Sequence, residues 1–415
     1  MRISTTRQII LSCFLASTLE IYDFVIFGFL STAIHKNYLS FLDEQTSLFI
    51  TFTLFAIGFV FRPIGSLIFG YIGDKYGRKK ALVASISMMG GCSLIMFILP
   101  TYTTIGILSC YIIALIRIIQ GISVGGEFTG AIVFTMEHVQ KGGKGLAVGI
   151  LSAGGACGLL LASLVSKVLQ NSILPEYSWR FAFLLGFALA IVGYFIRQKL
   201  SDTKEFTTTK DKLKGFPLLE GIRNYKLESL STILVAAANG TTFYFGAVFL
   251  PNHLNHTRVD QNYGYISLII SLTMFLSLPV FGYISDKFNR QKYLIITSML
   301  MSLVGLFFIH LITFAANTAS VIFLSIAYTL FASMMIGSIN IYAAEIFPTR
   351  VRMSCMSFFY SIGMGVIGGT VPMVSTFITN NFDNAEYVLG MYIAVICFTA
   401  SISVILVYIK KHLNP

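Results

Sequence analysis

Five ionisable side chains interrupt runs that are otherwise apolar. They are Glu20 and Asp23 in CFLASTLEIYDFVIFGFL (13–30), Arg62 in FRPIG (61–65), and Arg117 and Glu127 in RIIQGISVGGEFTGA (117–131). Glu20 and Asp23 are three residues apart, which puts them on one face of a helix. Three carboxylates against two guanidiniums leave one negative charge in surplus. A carboxylate buried beside like charge favours its protonated form. A group of that kind can take and release a proton near neutral pH, which is what proton coupling needs.

Motifs for other chemistry are missing from the sequence. No G-x-x-x-x-G-K-[ST] loop is present, since GGKG at 142–145 lacks the preceding glycine and the Ser/Thr, which argues against ATP-driven pumping. There is no HExxH. His253 and His256 (HLNH) could hold a metal, but in a presumed outer loop they are expected to be solvated. GISVG at 121–125 sits mid-helix with no strand before it, so it is no serine elbow. Cysteines 13, 92, 110, 157, 355 and 397 lie singly in apolar stretches and read as small buried hydrophobes. No enzymatic activity, cofactor or metal is expected.

The elements that position the five charges follow from composition. The 415 residues are 55% hydrophobic and only 11% charged, with a mean hydropathy of +0.78. A soluble domain carries about a quarter charged residues, so this chain must use lipid as solvent. Runs of about 20 apolar residues predict twelve helical spans, at 9–33, 46–73, 81–99, 104–136, 145–168, 178–198, 228–251, 261–285, 293–314, 318–345, 353–379 and 386–409. The fold class is an all-α integral membrane protein of two six-helix bundles, 1–198 and 228–415, joined by a polar linker at 199–227. No cleavable signal peptide is evident, and the first span reads as retained.

The net charge of +11 is an orientation signal, for no basic stripe with interleaved aromatics suggests nucleic acid. With the N-terminus inside, 23 Lys/Arg fall on inner segments, eight of them in the stretch 197–226, and 4 on outer segments. That asymmetry obeys the positive-inside rule and places both termini in the cytoplasm. At ~1.5 Å per residue, Asp23, Arg62, Arg117 and Glu127 lie ~15–20 Å from the nearer helix ends, and Glu20 close by. Left unpaired, the five would cost about 12–17 kcal/mol together. They must pair, face water or lose their charge.

The chain also repeats itself. GYIGDKYGRKK (70–80) returns as GYISDKFNRQK (282–292) with seven of eleven positions identical, each copy joining the second and third spans of its half. Glu137 and Glu345, 208 residues apart, end the fourth and tenth spans. Two parallel six-helix repeats mark one class of secondary transporters, with the site between the halves near mid-membrane. Gly70 and Gly282 permit close helix approach. Asp74 and Asp286 could meet the unpaired N–H groups of a neighbouring helix start. Arg78 and Arg290 could return to Glu137 or Glu345. Such contacts would form a breakable cytoplasmic gate.

GYIGDKYGRKK resembles the loop 2–3 signature of the major facilitator superfamily, G-x-x-x-D-x-x-G-R-[RK]-[RK], in which Gly77 is the second glycine. RIIQGISVGGEFTGA resembles the fourth-helix signature R-x-x-Q-G-x-x-x-G-G-E of its metabolite:proton symporter branch. EIYDF (20–24), FRPIG and SWRFAF (178–183) look like further marks of that branch, and the EFTGA ending is similar to its proline/betaine transporters. EIFPTRVR (345–352), with Arg350, extends the resemblance into the second half and adds to the candidate gate.

The resemblance implies that spans 1 and 4 line a central cavity. The expected roles are Arg117 for a substrate carboxylate, Asp23 or Glu127 as proton carrier, Glu20 as its tuner, and Arg62 as a packing charge beside Pro63. The second half has no mid-span charge but offers Asn239 and Tyr244 in NGTTFY and Asn340 and Tyr342 in NIY. With Tyr22, these tyrosines could meet an ammonium by cation–π contact. The expected function is proton-coupled symport of a small zwitterion of the proline/betaine type by a monomer in a bacterial inner membrane, with the solute, a proton and lipid as partners. The alternative is a proton symporter of a carboxylate of the 2-oxoglutarate, citrate or shikimate type, and a membrane nutrient sensor stands behind both. Only KKHLNP follows the last span, so no osmosensory C-terminal coiled coil is expected.

Overall fold

The computed structural model describes residues 6–139, 142–169, 173–198, 217–257, 265–315 and 317–413. All regular structure among them is helical, and twelve helices are long and apolar enough to cross a membrane. Spans 1 to 6 are Ile9–Phe29, Thr53–Tyr76, Arg78–Ile98, Leu108–His138, Lys144–Leu169 and Glu176–Gln198. Spans 7 to 12 are Lys226–Phe249, Ile266–Lys287, Arg290–Thr313, Thr318–Glu345, Arg352–Thr379 and Ala385–His412. Every expected run overlaps one of them, with ends that differ by a few residues. Of the expected linker, 199–216 lies outside the described residues. Its end, Pro217–Asn224, is a short helix that buries Leu218 and Gly221.

Where boundaries moved, local chemistry explains it. The first run stops at Phe29, and Ser31–Tyr38 forms a separate helix seated by the Tyr38 hydroxyl, which donates to the Leu99 carbonyl (3.1 Å). Span 2 is interrupted at Phe61, where Pro63, lacking an N–H, restarts the helix in its first turn. Span 7 ends in a π turn, Phe245–Phe249, and span 11 carries another, Ser361–Gly368. These wide turns shift which side chains face the centre of the molecule, and π turns concentrate at functional sites.

The halves meet along span 5 against span 8 and span 2 against span 11. Glycine makes both approaches possible. A Cβ on Gly70 would stand 2.8 Å from the Cα of Ser354, and one on Gly145 or Gly282 would overlap the backbone of the other. Gly77 has φ 119°, a conformation that L side chains rarely adopt, and it turns the chain between spans 2 and 3.

Cys355 follows Ser354, the residue against Gly70, and is fully buried, with Gly221 of the short helix Pro217–Asn224 against its sulfur. It therefore reports whether the contact is closed. In a variant keeping Cys355 as its single cysteine, Gly70→Val should make alkylation by a maleimide several-fold faster than with Gly70 intact. Equal rates would mean that span 11 does not need the glycine to seat.

Candidate functional site

A cavity of about 70 Å³ lies between the halves. Glu20, Arg62, Gly125, Thr129 and Ser152 line it from the first half, and Asn239, Tyr244, Asn340, Tyr360 and Ser361 from the second, with Phe128, Phe243, Met274 and Met364 as its apolar wall. Ligand pockets run to about 300–1,000 Å³, so the halves must part before a solute fits.

The second half answers with amides and hydroxyls. The Asn239 amide donates to the Tyr360 hydroxyl (2.6 Å), which donates to Asn340 Oδ1 (2.7 Å). The Asn340 amide crosses to Ser152 Oγ (2.9 Å). The Ser66 and Ser361 hydroxyls meet at 2.5 Å, and those of Thr129 and Ser357 at 2.7 Å. Each of these polar ties can be broken at modest cost, since a neutral hydrogen bond is worth about 0.5–1.5 kcal/mol net.

The first half contributes charge. Glu20 is 2% exposed, and its Oε2 has no hydrogen-bond partner. Arg62 lies under the rings of Phe24 (4.4 Å) and Phe59 (4.6 Å) and reaches the Tyr244 hydroxyl. Its Nε and Nη2 have no hydrogen-bond partner. Glu20 and Arg62 attract one another, yet each keeps bonding capacity. The guanidinium at the cavity is thus that of Arg62, the residue expected to serve packing alone.

The other expected site residues stand behind this wall. Arg117 is fully buried inside the first half, boxed by Phe24 and Phe27 (each 4.6 Å) and Phe55 (5.4 Å), and bonded to Gln120 Oε1 (2.9 Å). Its other donors go to the carbonyls of Leu54 and Phe55 (3.4 Å each), in the helix Glu44–Val60 that leads into the break at Phe61. Asp23 takes a 2.5 Å hydrogen bond from Ser93. The Tyr22 hydroxyl donates to the Ala182 carbonyl (2.7 Å), which turns it toward span 6. Tyr342 pairs with Ser231 (2.9 Å). None of Tyr22, Asp23, Arg117, Glu127 or Tyr342 lines the central cavity.

Glu127 has a partner that the charge pattern concealed. Arg197, read as a cation of the polar stretch 197–226, is 1% exposed, 3.1 Å from Glu127 Oε1, and donates to the Leu82 carbonyl (2.6 Å). The expected surplus of one carboxylate therefore does not hold. Three buried acids face three buried guanidiniums. The span expected over 178–198 already takes in position 197, so the last turn of span 6, YFIR, was the available signal.

On the face bearing the repeated hairpins, the two copies make reciprocal contacts. Asp74 accepts the backbone N–H of Ser354 (2.8 Å) and of Met353 (3.3 Å) at the start of span 11. Asp286 accepts those of Gly145 (2.8 Å) and Leu146 (3.0 Å) at the start of span 5. Each carboxylate satisfies orphan donors of a helix in the opposite half, at the positive end of its dipole. Arg78 pairs with Asp74 (2.5 Å), donates to the Thr349 carbonyl (3.0 Å) and approaches Glu137 (3.5 Å). Arg290 joins Asp286 (2.7 Å) to Glu345 (2.8 Å). The cross-half partner of Glu137 is Arg352 (3.0 Å), while Arg350 pairs with Glu220 of the short helix 217–224. Arg352 went unassigned because a cation in a loop reads as orientation alone.

Comparison with known proteins agrees with this architecture. The model of the Major Facilitator Superfamily matches residues 13–260 and 230–414. A proline/betaine transporter of Salmonella typhimurium strain LT2 is 29% identical over 423 residues, covering 96% of this chain and 83% of that protein. A citrate-proton symporter of Klebsiella pneumoniae is likewise 29% identical, over 393 residues, covering 91% and 87%. Among solved structures, the proton:xylose symporter XylE bound to 6-bromo-6-deoxy-D-glucose has the same fold, with a TM-score of 0.79 at 14% identity over 97% of this chain. Twelve spans, a twice-written hairpin and a cavity between the halves are thus those of a multi-pass membrane transporter, and the chain belongs to the Major Facilitator Superfamily.

Proposed function

We propose that this protein is a proton-coupled symporter of a small zwitterion, of the proline/betaine type, in a bacterial inner membrane. The observation that carries the reading is the pair Glu20 and Arg62, opposite charges on one cavity wall with unused bonding capacity on both. A solute carboxylate would take the free Nε and Nη2 edge of Arg62, which suits a planar anion. A solute ammonium would sit toward Glu20 and the faces of Tyr244 and Phe128. Asn239 and Asn340 would orient it. Relatives named for proline and betaine transport support the zwitterion. Those named for citrate support the alternative, a carboxylate, for which a single cavity guanidinium is a poor match.

Coupling would come from the acids of the first half. Glu20 meets the solute, and Asp23 and Glu127 stand behind it as the groups that hold the proton. The hairpin contacts would then be the gate, with the basic face toward the cytoplasm and both termini on that side. Asp74, Arg78, Glu137 and Gly70 seat span 11; Asp286, Arg290 and Glu345 hold span 5. Rocking the halves about the cavity must break both sets, exchanging the helix-start contacts for water.

Uptake of labelled proline, betaine and citrate into proteoliposomes, with and without an imposed pH gradient, tests the reading. Proline or betaine should accumulate against its gradient, and only when the pH gradient is present. Accumulation of citrate alone would replace the zwitterion by the carboxylate, and indifference to the pH gradient would remove proton coupling. Arg62→Gln should raise KM for the zwitterion about tenfold to a hundredfold, the 1.5–3 kcal/mol of a hydrogen bond to a charged group. Glu20→Gln should abolish gradient-driven accumulation while the protein still inserts.

The gate has its own check. Arg352→Glu puts like charges together across the halves and should slow transport strongly, whereas Arg352→Lys keeps the opposite charge and should retain most of the rate. A glutamate variant as fast as the wild type would show that the pair does not couple the halves.

A further inference from the structure

The two copies of the hairpin contact are built alike but not filled alike. Positions 208 apart correspond. Met353 and Ser354, which meet Asp74, answer to Gly145 and Leu146, which meet Asp286, as Glu345 answers to Glu137. By the same spacing Arg352 answers to Lys144, and Arg350 and Val351 to Gly142 and Gly143. In the first copy the ion pair across the halves is made, Arg352 to Glu137 (3.0 Å), and the side chains of Arg78 and Glu137 are sealed at 1% and 0% exposure. In the second copy it is not made. Among the described residues Glu345 pairs with Arg290 of its own half and stays 38% exposed, and Lys144 has no ion pair.

The space left is a cavity of about 390 Å³ on the hairpin face, within the range of pockets that hold small ligands. Two differences between the copies open it. Gly142 has no side chain where Arg350 has its guanidinium, and its φ of 102° disfavours any other residue; Gly143 has none where Val351 is fully buried. The wall is cationic, with Lys144 from the first half and Arg290 and Lys411 from the second against the single carboxylate of Glu345. Arg290 is engaged by Asp286 and Glu345, so the ammoniums of Lys144 and Lys411 are the uncommitted charge, and they come from opposite halves. The hairpin itself adds donors. Two of the four positions at which its copies differ, Asn289 for Gly77 and Gln291 for Lys79, line this cavity. Asn289 Oδ1 caps span 9 through the Lys292 N–H (3.2 Å), which leaves the amide NH2 as its available end.

We propose that this cavity binds a phosphate group, carried by a small soluble molecule or by a lipid headgroup, and that the bound anion clamps the two halves together. Two ammoniums and two amides around one space call for an acceptor with several oxygens, and lysine binds phosphate as a point charge. A single carboxylate offers two oxygens, and Glu345 already holds that role. The anion does in the second copy what Arg352 and Glu137 do directly in the first: it joins Lys144 of one half to Lys411 and the hairpin amides of the other. Rocking then has to part Lys144 from the anion as well as Asp286 from the start of span 5, so occupancy slows transport. The clamp rests on the hairpin gate proposed above; the binding site does not.

Labelled inorganic pyrophosphate is the soluble probe, with the full chain in phosphatidylcholine nanodiscs at fixed ionic strength, since salt screens exposed charge. The wild-type protein should retain it. Lys144→Gln and Lys411→Gln should each weaken retention about tenfold or more, as the loss of a hydrogen bond to a charged group requires, and Lys144→Arg should weaken it far less. In phosphatidylcholine vesicles at equal pH, pyrophosphate on both sides should slow exchange of labelled proline, betaine or citrate several-fold in the wild type and leave Lys144→Gln unaffected. A wild type that ignores pyrophosphate but is slowed by phosphatidylglycerol in the vesicles, with Lys144→Gln indifferent to it, assigns the phosphate to a headgroup. Response to neither, or equal responses from the wild type and both glutamine variants, overturns the site. Pyrophosphate retained without slowing exchange overturns the clamp. A wild type that retains pyrophosphate yet exchanges none of the three solutes refutes the symport reading and leaves the site standing.

Discussion

Hydrocarbon offers a buried charge neither water nor counter-ions, and the arrangement of this protein depends on that refusal. Each ionic group at mid-depth must find an aromatic face, a carbonyl or an opposite charge within the helical bundle. The first half meets the demand in three separate ways. Arg117 is held by phenylalanine rings and the carbonyls of Leu54 and Phe55, Arg62 by Phe24 and Phe59 at the cavity edge, and Arg197 by Glu127 and the Leu82 carbonyl. These contacts join span 4 to spans 1 and 2, span 2 to span 1, and span 6 to spans 4 and 3, so five of the six helices of this half are tied to one another by charge as well as by apolar packing.

The same constraint works differently where the two halves touch. Beside Arg78 and Arg290 of their own halves, Asp74 and Asp286 are answered across the halves by backbone N–H groups, which belong to the start of a helix and are unpaired by geometry. A side-chain partner could rotate away with its own half, but a helix start moves only when the whole helix moves. The state of these two carboxylates therefore reports the separation of two rigid bodies. When the contact opens, water can replace the N–H groups, since both hairpins sit at a membrane face. The exchange is near enough to neutral to be reversible.

Much of this was legible in the sequence, and what was hidden has a common cause. Span number, the repeat and the carboxylate-to-helix contacts follow from hydropathy, from 70–80 matching 282–292, and from the rule that helix starts need acceptors. Depth along a helix is also readable, so Glu20, Asp23, Arg62, Arg117 and Glu127 were all placed at mid-membrane. Azimuth was not. Arg62 and Arg117 differ in which way they point, and that is set by the break at Phe61 and Pro63 and by which ring each guanidinium stacks on. Arg197 and Arg352 sit at span ends, 197 inside the expected run 178–198 and 352 one residue before 353–379, and a cation at a span end reads as an orientation signal whether it faces solvent or core.

The asymmetry between the halves then acquires a physical sense. The first half holds all the buried mid-depth charge of the two, and the second meets the cavity with Asn239, Asn340, Tyr244 and Tyr360. Amides and phenols can orient a polar solute but exchange no proton near neutral pH. If both halves carried titratable groups on the cavity, each rocking motion would pull charges through lipid-lined space and the cost of motion would change with protonation on both sides. Confining the ionic groups to one rigid half keeps their mutual distances fixed as the other half swings. Only the contacts of the cavity wall and the hairpins then change with the motion itself, and the buried charge network changes only as its acids gain or lose a proton.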